Sequence, residues 1–302
     1  NNSNEMNKGK LLYWSITVAL AGFLFGFDTI VISGAEQSLQ ELWNRGDFFH
    51  GFVVMSSALW GTVLGAIFGN IPTDRLGRKR TLFIIGILYF ISALGSSLAT
   101  DPWTFASLRG IGVGMSTIAA PAYVSEIAPA KDRGKLVALY QFNIVFGILV
   151  AFVSNWLFSM MEGESWRWMI GIEALPALIY TFMVLTVPRS PRWLLIRAKE
   201  EQEARNVLSK IYTEEEVELA VQQIIKQEKQ ELKKENVFNG KYNFPLMLAF
   251  FIAFFNQFSG INAFLYYSPR IFETAGLGEN TAFLSTIGIG AINLIFTLIG
   301  LS

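Results

Sequence analysis

The sequence predicts an all-α protein that crosses a membrane several times, built as two helical bundles joined by a charged connector. Three observations carry that expectation. Mean hydropathy is +0.40 with only 16% charged residues, against about a quarter charged in ordinary soluble chains. Eight apolar runs of 20 to 28 residues hold at most one charge each. Lys and Arg are distributed very unevenly between the segments joining those runs. In lipid a spanning segment must satisfy its own backbone hydrogen bonds, and a helix needs roughly 20 residues to cross.

The runs are 11–35, 48–73, 81–100, 102–125, 136–161, 168–188, 242–269 and 280–302. Five contain no Asp, Glu, Lys or Arg, and the others contain one each: Asp28, Arg109 and Glu173. The first run is too long for a signal-peptide core and carries an acid, so it reads as a span. Basic residues gather on the cytoplasmic side of short loops. With the amino terminus inside, 20 of the 24 fall on that side, three on the other (Arg45, Arg167, Arg270), and Arg109 within a span. The sequence therefore predicts a cytoplasmic amino terminus and a plasma-membrane location.

Between the sixth and seventh runs the chain is charged, with Val207, Ile211, Val217, Val221, Ile224 and Ile225 at helical spacing. That pattern predicts short amphipathic helices on the cytoplasmic face. The organisation expected is a six-span bundle over 1–190, a helical connector over 191–241, and the first two spans of a second bundle over 242–302. The chain ends inside an apolar run, so the second bundle reads as incomplete, giving about eight spans in all.

Net charge is zero, cysteine is absent and His50 is the single histidine. Thiol chemistry, thiolate metal sites and a global electrostatic case for nucleic acid are excluded. No catalytic triad, metal-ligand cluster or phosphate loop stands out, so neither enzyme nor metal site nor organic cofactor is expected. His50 reads as an interfacial residue. Gly110-Ile111-Gly112-Val113-Gly114 lies inside a span with no strand before it, and so reads as a helix-packing surface, like Gly61, Gly65 and Gly69.

The three lone charges fall at nearly one depth. Counted from the cytoplasmic ends of their runs, Asp28, Arg109 and Glu173 lie about 25, 24 and 22 Å into the membrane. Ionisable residues there pair, face the bundle interior and mark ion pathways. Two acids with one base leave a carboxylate that a proton could titrate. Asp28 is thus expected to accept a proton, Arg109 to control its affinity and Glu173 to tune the pair. A static structural ion pair is the alternative.

The seventh run carries Asn256 and Gln257 midway, beside Ser259, Gly260 and Asn262, with Tyr266 and Tyr267 beyond. Amides offer a donor and an acceptor on one plane, which suits vicinal hydroxyls, and an aromatic face suits sugar C–H groups. Amides that merely bond between helices are the alternative. Gly260 and Pro269 weaken this helix locally, as gating elements need.

Local blocks then suggest a family. Asp74-Arg75-Leu76-Gly77-Arg78-Lys79 resembles the signature loop of the major facilitator superfamily. Gly26-Phe27-Asp28-Thr29, Pro121-Ala122-Tyr123-Val124-Ser125-Glu126, Arg133-Gly134-Lys135, Trp166-Arg167-Trp168-Met169, Pro188-Arg189-Ser190-Pro191-Arg192-Trp193 and Asn256-Gln257-Phe258-Ser259-Gly260-Ile261-Asn262 resemble, in family order, blocks of its sugar porters, closest to bacterial proton-coupled pentose and hexose symporters. The resemblance implies a major facilitator fold of two six-helix bundles and uptake of a monosaccharide by alternating access, as a monomer in the bilayer, with a proton as coupling ion. It assigns Asp28, Arg109 and Glu173 to proton coupling. It lines the sugar site with Phe25, Gln141, Gln257, Asn262, Tyr266 and Asn293, beside Asn256. It places Asp74, Arg75, Arg78, Glu126, Arg133 and Arg192 in the cytoplasmic gate. An uncoupled uniporter, or a non-transporting sensor, stays open as an alternative.

Departures bear on the sugar. Asn256 replaces the first glutamine of a Gln-Gln pair, and Ile148 stands where the pentose symporters carry another glutamine. Arg189 replaces the glutamate usual after Pro188, which predicts a weaker charge network around Glu126, Arg133 and Arg192.

Overall fold

The computed structural model describes residues 2–107, 109–129, 131–231 and 240–301, which are helical with short turns and contain no strand. The chain opens on α1 (Asn2–Trp43). Its buried residues Leu11, Trp14, Val18, Ala21, Leu24, Phe27, Val31 and Ala35 recur every three or four positions, the spacing of one helical face. A second span starts with a turn at Asp47–Phe49, passes through one π-helical turn at His50–Met55, and continues as α2 (Ser57–Phe68) and a short helix at Asn70–Arg75. Gly77, at φ +87°, makes the left-handed turn into α3 (Arg78–Ser97).

The fourth apolar run does not form one helix. Asp101 accepts from the backbone N–H groups of Trp103 and Thr104 and starts α4 (Pro102–Ser107), an N-cap. Gly110, in the left-handed region at φ +90°, interrupts the helix before α5 (Ile111–Ile127). A side chain there would be strained and would collide with the Ala58 carbonyl. Seven stretches among the described residues are therefore long and apolar enough to cross a membrane, the fourth run being split.

α6 (Arg133–Ser159) lies along α1 so closely that a methyl group on Gly26 would overlap the Ile144 carbonyl. The sixth span is α7 (Ser165–Gly171) followed by α8 (Ala174–Thr186). Pro176 has no N–H to return to Ile172, and the break falls at Ile172 and Glu173. The connector supplies α9 (Glu201–Leu208) and α10 (Glu214–Glu231), whose Ala204, Val207, Leu208, Val217 and Val221 pack with Trp193, Leu194 and Leu195. This matches the expected amphipathic helices; Ile211, Ile224 and Ile225 are less enclosed.

The seventh span is α11 (Asn243–Phe258), a left-handed break at Gly260 (φ +78°), then α12 (Ile261–Tyr266) and α13 (Ser268–Thr274), with Pro269 near the start of α13. The eighth is α14 (Glu279–Leu301), which lies on α6 where Gly290 meets Leu149 and Phe152. Large apolar side chains such as Trp60, Ile67, Phe182 and Ile292 are exposed, as a lipid-facing surface requires. Two apolar clusters fill the interior, one around Tyr89, Tyr123 and Tyr180, the other around Ile30, Met55, Phe105 and Phe152. The molecule thus has one face carrying the basic 75–80 loop and the connector, and an opposite face carrying the 44–46, 98–101 and 160–164 turns.

Candidate functional site: a buried charge cluster and a row of amides

Asp28 projects from the middle of α1, and Arg109 from the break between α4 and α5. Both are 1% exposed. Arg109 Nη2 donates to Asp28 Oδ1 and to the Asp28 backbone carbonyl, each at 2.6 Å. Its guanidinium also sits 5.4 Å from the centre of the Phe105 ring, a cation–π distance. Glu173, likewise 1% exposed, comes from the break between α7 and α8 with Asp28 and Arg109 as its charged neighbours. Asp28 Oδ2, both Glu173 oxygens and Arg109 Nε and Nη1 have no hydrogen-bond partner among the described residues. Two carboxyl groups therefore face one guanidinium in a water-poor site, and the pairing that satisfies one oxygen leaves three unsatisfied. Two ionised acids sharing one base repel each other.

Hydroxyls surround these charges. Ser116 and Tyr140 share a hydrogen bond at 3.1 Å. Tyr89 has Asp28 and Glu173 among its charged neighbours, and Tyr266 has Asp28 and Arg109. The hydroxyls of Tyr89, Tyr180 and Tyr266 are buried without a partner among the described residues. Tyr89, Tyr140 and Tyr180 went unremarked in the sequence, where a tyrosine within an apolar run looks like any other core residue.

Three of the expected sugar residues come together. Asn262 Nδ2 donates to Gln257 Oε1 at 2.6 Å, and Gln257 Nε2 to Asn256 Oδ1 at 3.1 Å. The left-handed break at Gly260 lies between Gln257 and Asn262. Asn256 and Gln257 are exposed and Asn262 half-buried, whereas Tyr266 is enclosed at 4%. Phe25 on α1 and Asn293 on α14 are half-buried, and Gln141 on α6 is exposed; among the described residues no hydrogen bond joins them to the amide row. Ile148 is buried with Phe27 and Phe152 in an apolar cluster.

On the basic face, Arg78 joins Glu126 (Nε to Oε1, 3.0 Å), Asp74 (Nη1 to Oδ1, 3.2 Å) and the Thr73 carbonyl. Ser190 donates to the other Glu126 oxygen, and Trp193 Nε1 to the Asp74 carbonyl at 2.9 Å. Arg192 lies 3.8 Å from Glu228. Arg75 and Arg133 are exposed and enter no ion pair among the described residues. Arg189 differs from expectation: it turns to Glu200 and Glu203 of the connector and leaves the Glu126 pairing intact. His50 differs too, being 3% exposed and bonded to Glu36 at 3.1 Å. Glu36 itself, just past the end of the first apolar run, drew no attention in the sequence.

The profile of a family described as "Sugar (and other) transporter" matches residues 14–302. The chain belongs to this sugar transporter family. It is a family of transporters, not enzymes, and the multi-pass helical fold agrees with it. The D-xylose-proton symporter of Escherichia coli K12 is 33% identical over 99% of this chain and 68% of its own length. A D-xylose transporter of Levilactobacillus brevis is 37% identical over 94% and 63%. This sugar transporter chain thus spans about two thirds of the length of the curated relatives it matches. A solved structure of the major facilitator superfamily proton:xylose symporter, bound to 6-bromo-6-deoxy-D-glucose, superimposes with a TM-score of 0.85 at 31% identity, covering 98% of this chain and 69% of that one.

Proposed function

We propose that the protein carries a monosaccharide, a pentose or hexose, into the cell together with a proton, by alternating access. One observation carries this reading: the buried Arg109–Asp28 pair with the unpartnered Glu173 carboxyl beside it. A buried ion pair costs desolvation, and a surplus acid costs more; a protein that only needed a core would fill the place with apolar side chains. Protonation of Asp28 weakens its bond to Arg109 and frees α1 to move relative to α5. The sugar is held by Asn256, Gln257, Asn262 and Tyr266 of the seventh span, facing Phe25, Gln141 and Asn293.

The same reading sets the basic face in the cytoplasm of a plasma-membrane protein that works as a monomer. The cluster of Arg78, Glu126, Asp74 and Ser190 then pins the cytoplasmic ends of the second, third, fourth and sixth spans. Among the described residues, bonds between the first six spans and later helices lie on the opposite face, among them Trp156 Nε1 to Asn280 Oδ1 at 2.9 Å, which supports a state closed on that face.

The test is uptake of radiolabelled pentoses and hexoses by the full-length protein in proteoliposomes, with and without an inward proton gradient. Accumulation above equilibrium that collapses with a protonophore, and is lost in Asp28→Asn while exchange persists, supports symport. Equilibration indifferent to the gradient supports a uniporter instead, with Asp28 as a structural charge. The additional Arg109 bond to the Asp28 backbone carbonyl favours that second reading.

A further inference from the structure

Eight residues beyond Asp28 along α1, Glu36 is a second buried carboxylate that the coupling site does not use. It is 1% exposed and carries two partners from different parts of the fold. His50, at the start of the π-helical turn of the second span, bonds Oε1 through Nε2 at 3.1 Å. Arg270, on α13 at the end of the seventh span, donates from Nε to Oε2 at 2.8 Å. Arg270 also donates from Nη2 to Gln40 Oε1 at 2.6 Å, and Gln40 donates to Asp47 Oδ1 at 2.7 Å. One turn away, Gln37 donates to Glu273 Oε2 at 3.1 Å.

The partners differ in exposure and in the part of the fold that carries them. His50 sits with Glu36 among the first two spans and is 3% exposed. The Arg270 side chain is 40% exposed and belongs to the later helices. If the face opposite the basic loops parts, Arg270 is the partner that leaves, and His50 is the one that stays. A buried carboxylate stripped of its cation is strongly disfavoured. Imidazole is the side chain whose charge changes between about pH 5 and 8, so it can replace the departing cation by taking up a proton. The other charged or titratable groups facing the cluster are Asp47, Glu273 and the Tyr267 phenol, which has Glu36, Arg270 and Asp47 around it; Arg45 is turned onto the Phe49 ring.

We propose that Glu36, His50 and Arg270 form the outer latch of the transport cycle, in which opening exchanges the Arg270 cation at Glu36 for a proton on His50. The proposal rests on the transporter reading above and adds to it a second protonation event, about 12 Å along α1 from Asp28. One proton taken up per opening shifts the open-to-closed ratio by at most about tenfold per pH unit. Glu36, His50 and Arg270 act here as positioning residues, through the gate and not through the sugar.

The 302-residue chain has no cysteine; with any cysteine of the full-length protein outside it replaced by serine, a single introduced thiol reports cleanly. Ser268 is fully buried two residues before Arg270. The full-length protein carrying Ser268→Cys is placed in oriented vesicles and labelled from outside with a membrane-impermeant maleimide. Glu36→Gln and Arg270→Gln should each raise the labelling rate at least fivefold, and the double variant no further. Lowering external pH from 7.5 to 5.5 should raise labelling severalfold in the parent and not in His50→Gln, each rate being divided by that of a fully exposed cysteine variant at the same pH to remove the change in thiolate fraction. Unchanged labelling in both Gln variants overturns the latch, and a pH response that survives in His50→Gln overturns the proton exchange. If one variant does not fold, the other still decides the latch. Sugar uptake by the same vesicles separates the two readings: a normal labelling response without any uptake removes the transporter function and keeps the latch, whereas uptake without a labelling response does the reverse.

Discussion

Arg109 grips Asp28 twice, at the carboxylate and at the backbone carbonyl, both at 2.6 Å from one guanidinium nitrogen. The second bond fixes the guanidinium against the α1 backbone, so the ion pair survives small rotations of the Asp28 side chain. It also means that Arg109 cannot be withdrawn without stranding both a charge and a carbonyl.

Replacing Arg109 with Gln should therefore lower stability by about 3–5 kcal/mol, the usual cost of leaving a buried charge without its partner. Asp28→Asn combined with it should recover most of that loss, because the stranded carboxylate is gone. Thermal unfolding of the purified protein in detergent, single variants against the double, measures this coupling.

Glu173 behaves in the opposite sense. Two acids crowd one guanidinium there, so Glu173→Gln, which removes one ionisable group from a buried site, should raise stability by about 1–3 kcal/mol. The same variant should alter the pH profile of coupled uptake while leaving sugar exchange intact. A fall in melting temperature would mean that Glu173 has a partner in the folded protein after all.

Gln257 accepts from Asn262 and donates to Asn256. Truncation to Ala removes the centre of that row and should weaken sugar binding about tenfold, or about 1.4 kcal/mol, with little effect on melting temperature because Gln257 is exposed. Isothermal titration with a pentose and a hexose checks both the magnitude and the preference.

Arg189 ties the end of the sixth span to the connector through Glu200 and Glu203. Its hydrogen bonds hold the Glu203 carboxyl below the usual carboxylate range. A depressed carboxylate contributes its stability above the unfolded value, about 4.3, and loses it as pH falls through the folded one. The hydrogen-exchange protection factors over Glu201–Leu208 should therefore fall only below about pH 4 in the native protein. Arg189→Glu should lower them at neutral pH, by an amount that shrinks with added salt, since each partly exposed pair is worth about 0–1 kcal/mol.

Much of this was legible in the chain. The spans followed from run length alone, and the depth of Asp28, Arg109 and Glu173 placed them together before any coordinates did. Asn256, Gln257 and Asn262 stood out because amides are conspicuous among phenylalanines. What escaped depended on neighbours distant in sequence. The split of the fourth run needed the backbone of Ala58 against Gly110, and Arg189 found acids 11 and 14 residues onward rather than the Glu126 cluster. Glu36 lies just beyond an apolar run, where a charge looks like an ordinary interfacial residue; only the fold brings His50 and Arg270 to it.

Asp28 and Glu36 sit on the same unbroken helix, eight residues and roughly 12 Å apart. An α-helix is stiff over that distance, so α1 acts as a lever with a load at each point, one facing Arg109 and the other Arg270. Tilting it cannot relieve one contact without straining the other. A single residue inserted between the two would rotate their directions by about 100°, disconnecting events at mid-membrane from those at the rim without deleting any side chain.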